Sequence, residues 1–66
     1  MHENWINIKG FIHAYQAEIA QAVLNEYDIM AVLVNKQDSA YTHIGLIELY
    51  VHRDNALKAA HILREW

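Results

Sequence analysis

An unbroken apolar run, Ile29-Met30-Ala31-Val32-Leu33-Val34, interrupts an otherwise mixed chain and narrows its folding options more than any other stretch. It is far shorter than the roughly 20 residues a membrane-crossing helix needs. It is rich in β-branched side chains and apolar at both parities, so it reads as a strand and not as a short helix. Such a strand needs partners in a sheet and cover for its faces. The chain has only 66 residues to supply them, with no Cys for a disulfide and no Pro. A domain of that size buries only about 60% of its unfolded surface, so a single domain spanning residues 1–66 is expected.

The flanking segments carry clear periods. Trp5-Ile6-Asn7-Ile8-Lys9 alternates large apolar with polar residues, the mark of a strand, and Gly10 can end or bend it. Over Ala14 to Tyr27, Ala17, Ala20, Val23, Leu24 and Tyr27 share one arc at 100° per residue, with Ile19 at its edge. Glu18, Gln21 and Asn25 fall opposite, which predicts an amphipathic helix. Asp28 breaks that pattern. Residues Asn35 to His43 are polar and turn-like. Gly45 to Val51 reads as a third strand, and Asp54 or Asn55 as the N-cap of a last helix. There Ala56, Ala59, Ala60, Leu63 and Trp66 share a face opposite Lys58, His61 and Glu65.

The order β-α-β-β-α predicts an α+β fold. A right-handed first crossover and a third strand lying antiparallel between the other two give strand order 1-3-2, with both helices on one face. That is the ferredoxin-like split β-α-β unit without its last strand. If Ile6, Ile8, Ile47, Leu49 and Val51 point to the helices, then Trp5, Asn7, Leu46, Glu48 and Tyr50 point away. The apolar strand adds either Met30, Val32 and Val34 or Ile29, Ala31 and Leu33 to that uncovered face. With 55% hydrophobic residues, the chain carries more apolar surface than one covered face hides, and its first strand is an unpaired edge. Both features lead to an expected homo-oligomer, dimeric or higher.

Charge excludes some partners. The net charge is −3, and Lys9, Lys36, Arg53, Lys58 and Arg64 are spread along the chain instead of forming the basic patch that binds phosphates. No nucleic-acid or membrane partner is expected. The residues Met1-His2-Glu3-Asn4 do not resemble a signal peptide, and a cytoplasmic location is expected.

Few residues suggest chemistry. Asn35-Lys36-Gln37-Asp38 matches the guanine-specificity string of GTPases, but no Gly-rich phosphate loop accompanies it among the chain's two glycines. The five histidines show no zinc spacing, and neither metal nor cofactor is expected. Ser39 has no base placed beside it, and pairing of Asp38 with Glu48 for acid-base work is unsupported. No enzymatic activity is expected. Aromatic side chains among amides suit recognition, which makes Asn35, Lys36, Gln37, Asp38, Ser39 and Tyr41, joined by Tyr15, the candidate binding residues.

Trp5-Ile6, Tyr15-x-Ala17-Glu18, Asn35-Lys36-Gln37-Asp38-Ser39-x-Tyr41 and Glu48-Leu49-Tyr50-Val51 together resemble the prokaryotic signal-transducing protein family, a small bacterial domain of unknown function, in its Bacteroidetes-type form. The resemblance covers about residues 5 to 63. It implies a ferredoxin-like fold and a regulatory or binding role, and no catalytic residue, cofactor or ligand. Relatives tend to place Ser, Thr or Asp before the first helix, where this chain has Gly10-Phe11-Ile12-His13, so a good cap is missing. The expected function is a non-enzymatic regulatory or protein-interaction module acting as a homo-oligomer. A small-metabolite sensor binding its ligand at a subunit interface is the second expectation.

Overall fold

A computed structural model describes residues 4–35 and 47–64. The elements run β1 (Trp5–Phe11), α1 (Ala14–Glu26), β2 (Ala31–Asn35), β3 (Ile47–His52) and α2 (Arg53–Ile62). They form an α+β fold whose three-stranded sheet has order β1-β3-β2, with β3 antiparallel to both neighbours. This is the expected topology.

The core lies between the sheet and the helices. Alternate residues of β3, Ile47, Leu49 and Val51, are buried, while Glu48, Tyr50 and His52 are half-buried on the opposite face. Ala17, Ala20 and Leu24 of α1, Ala59 of α2 and Leu63 just beyond it join Phe11, Ile29 and Ala31 in the same cluster. Both helices therefore pack on one face. Fully burying Leu24, Leu49 or Val51 contributes about 1.5–3 kcal/mol each. The alanines contribute little area themselves, but they let the helices lie close to the sheet.

Besides the cap of α2, taken up below, the sequence reading needs correction at five local points. First, β1 does not stop at Gly10. It continues to Phe11, and its register against β3 slips between Asn7 and Lys9, leaving Ile8 as the extra residue of a bulge. The side-chain carbonyl of Asn7 accepts the backbone N–H of Lys9 at 3.2 Å across that bulge. The slip switches parity, so Phe11 enters the core opposite Ile47; Ile6, before the slip, pairs with Val51 on the helix side but stays partly exposed. Second, Tyr27, placed on the buried arc of α1, is the helix C-cap and is exposed. Third, Gln21 is half-buried, and its side-chain amide donates to the Ala31 carbonyl at 2.8 Å. Fourth, Ile29 and Met30 precede β2 instead of opening it, although Ile29 is buried. Fifth, Ala60, placed on the inner face of α2, is exposed.

Asp28 ends α1 as expected, and does so by a Schellman arrangement. Its φ is 63°. The Asp28 N–H donates to the Asn25 carbonyl at 3.0 Å, and the Ile29 N–H reaches back to the Leu24 carbonyl at 3.0 Å. Leu24 and Ile29, bracketing the turn, are both buried. At the other end of α1, His13 is the N-cap and makes no side-chain capping bond, in keeping with the missing cap residue in the sequence.

Candidate interaction surface

The sheet face away from the helices is assembled by register. Trp5 pairs with His52 and Asn7 with Tyr50 across β1 and β3. Val32 pairs with Tyr50 and Val34 with Glu48 across β2 and β3. Paired residues share a face, so Trp5, Asn7, Val32, Val34, Glu48, Tyr50 and His52 lie together on it. The two valines resolve the choice that the apolar run left open, because Ala31 and Leu33 face the core side with Val51 and Leu49. Leu46, the remaining residue expected here, lies outside the described residues.

No described helix covers this face. Its composition is that of a contact surface: an indole, a phenol, an imidazole and two valines around one amide and one carboxylate. Tyr and Trp offer apolar bodies with polar tips, and they are enriched where proteins meet. The polar groups have internal partners. The Tyr50 hydroxyl donates to Glu48 Oε1 at 2.8 Å. That bond, then partial desolvation and the carboxylate's charge, push the phenol above its ordinary tyrosine value. The Trp5 and His52 rings meet edge to face, with centroids 5.9 Å apart and an interplanar angle of 78°.

His52 also starts α2. Asp54 or Asn55 was expected to cap this helix, but β3 leads into α2 without a loop, so the last strand residue is the N-cap. Its Nδ1 accepts the Asp54 N–H at 3.1 Å. Asp54 instead sits in the first turn, where its charge suits the helix dipole. Its Oδ2 lies 3.5 Å from the same Nδ1. The Arg53 N–H donates to the Asn4 carbonyl at 2.7 Å, fastening the start of α2 to the start of β1. His52 did not figure in the sequence-derived set, although its spacing of two from Tyr50 and four from Glu48 carried the signal.

A concavity of about 660 Å³ lies at the other end of β1 and is lined by Lys9, Phe11, Ile12, His13, Tyr15 and Ile19 among others. Tyr15 is 61% exposed and stacks on His13, with centroids 5.6 Å apart and planes at 21°. Lys9 Nζ stands 5.8 Å from the centre of the Phe11 ring, within range of a cation–π contact. Asn35 and Phe11 both pair with Ile47, so Asn35 and Tyr15 belong to the same end of the sheet. Lys36, Gln37, Asp38, Ser39 and Tyr41 lie outside the described residues.

Among the described residues no group of three or more His, Cys, Asp or Glu side chains gathers as a metal site, and no helix is long and apolar enough to cross a membrane. Compared with protein-family models, curated proteins and solved structures, the chain matches none of them.

Proposed function

We propose that this protein is a non-enzymatic regulatory or protein-interaction module that works as a homo-oligomer, joined through its open sheet face. The observation that carries this reading is the face itself: Trp5, Tyr50, His52, Val32 and Val34 stand together on one side of a sheet whose described helices lie on the other. A second copy is the occupant the surface suits. Its Tyr50–Glu48 pair is already satisfied internally, so a like face meets few unpaired polar groups. A domain this small also gains from completing its core with another copy.

The sheet edges favour the face over edge pairing. β1 carries the bulge at Ile8, and the first carbonyl of β2 is occupied by Gln21. Bulges and blocked edge groups make poor templates for a further strand. The resemblance of the sequence to the prokaryotic signal-transducing family supports the regulatory part of the proposal.

Analytical ultracentrifugation tests it. The wild-type chain should sediment as a dimer at micromolar concentration. Val32→Lys, which sets a charge on the face beside Tyr50 of the central strand, should give a folded monomer. A wild-type monomer, or a Val32→Lys dimer, overturns the reading.

The groove beside Tyr15 favours a second reading, a small-ligand sensor, because it offers a stacked aromatic pair and a lysine around an apolar wall. A metabolite that binds only the folded state raises its Tm. A shift abolished by Tyr15→Ala would place such a ligand there.

A further inference from the structure

His52 does two jobs with one ring. Its Nδ1 accepts the Asp54 N–H that opens α2, and its edge-to-face contact with Trp5 builds the rim of the open sheet face. As an acceptor, Nδ1 is unprotonated, and the ring proton sits on Nε2. Protonation turns Nδ1 into a donor. The capping bond is then lost, and a positive charge stands at the positive end of the helix dipole and on the face proposed to pack against a second copy.

We propose that His52 is an acid-sensitive release for self-association: protonation unhooks the cap of α2 and charges the open face, so copies separate as the pH falls. The proposal rests on the open-face dimer proposed above. The cation meets little compensation in the free chain. Among the described residues, the carboxylate in contact with the ring is that of Asp54, at 3.5 Å, but its side chain is 78% exposed, where water screens the pair. Arg53, next along α2, adds a like charge. On β1, Trp5 is the ring partner, and no titratable side chain lies between Asn4 and Ile8. On the face of β3, Tyr50 and Glu48 already bond each other. Across β2, Val32 and Val34 carry no charge.

The sign follows from linkage. A dimer that buries neutral His52 binds protons less readily than the free chain, so acid favours the free chain. Histidine as a residue type changes its charge between about pH 5 and pH 8. The dissociation constant measured by ultracentrifugation should therefore rise about tenfold or more between pH 8 and pH 5.5. His52→Asn keeps a good N-cap acceptor and cannot titrate, so its dissociation constant should hold steady over that range. As a second readout, the Asp54 amide signal in NMR spectra of the wild type should move with the titration of the His52 ring.

A wild-type dimer equally tight at both pH values overturns the release while leaving the open-face reading intact. So does a dimer that tightens in acid, or a His52→Asn variant as pH-sensitive as the wild type. A wild-type chain monomeric at pH 8 fells the dimer, and the release with it.

Discussion

At Asp28 a residue with a Cβ holds φ at 63°, a region that costs L-residues about 1–2 kcal/mol, less for Asn and Asp. The position cannot move, because Leu24 and Ile29 on either side of the turn are both buried. Asp28→Gly should therefore raise stability by up to about 1 kcal/mol, read as a higher urea midpoint with an unchanged m-value. Tyr50 gives a pH-dependent counterpart. Its folded-state pKa is raised, so the stability it adds is fully present below the unfolded value of about 10 and is lost as the pH climbs through the folded value. Stability of the wild type should fall more steeply above pH 10 than that of Tyr50→Phe, compared by urea unfolding at pH 8 and pH 10.5. Sequence alone showed that Tyr50 faces away from the helices, because β3 alternates cleanly. The partner of its hydroxyl was not legible: Glu48 shares that face, but so do several other groups, and period two does not select among them.

Among the elements, α1 was the most legible, since Ala17, Ala20 and Leu24 fall on one arc and are all fully buried. The fit of that helix depends on small side chains. Ala20→Leu should force α1 off the sheet and cost about 1–3 kcal/mol, measured as a lower urea midpoint. β1 was the least legible. A bulge adds one residue to one strand and leaves no mark in composition, so the alternation that began at Trp5 gave no warning of the switch at Ile8. Gly10 then looked like a strand end when the strand continues through it. The start of α2 was misjudged for a different reason. Asp and Asn are intrinsically the better caps, but the direct passage from β3 to α2 leaves the capping position to His52. The face contributed by β2 stayed ambiguous because Ile29 to Val34 is apolar at both parities. Only the register of β2 against β3 separates Val32 and Val34 from Ala31 and Leu33.

At the scale of the molecule, one layer of helices and one layer of sheet enclose a single core, and the sheet's second side meets no described helix. The dimer proposed on that side makes stability depend on concentration, since a partner that binds only the folded chain raises its Tm by mass action. Thermal unfolding of the wild type at two protein concentrations a hundredfold apart should show the higher Tm in the more concentrated sample. Val32→Lys should show no such difference.

The side-chain amide of Gln21, seated on the Ala31 carbonyl, bears on how far such association can go. Together with the bulge in β1, it discourages lateral growth of the sheet. Face-to-face stacking uses up the open side of each participant, so a pair has no second open side to offer. Assembly of this kind saturates instead of propagating. Concentrated solutions should then stay clear and fail to seed thioflavin-positive fibrils. Replacing Gln21 with Ala removes the partner of the Ala31 carbonyl and so weakens this restraint on open-ended growth.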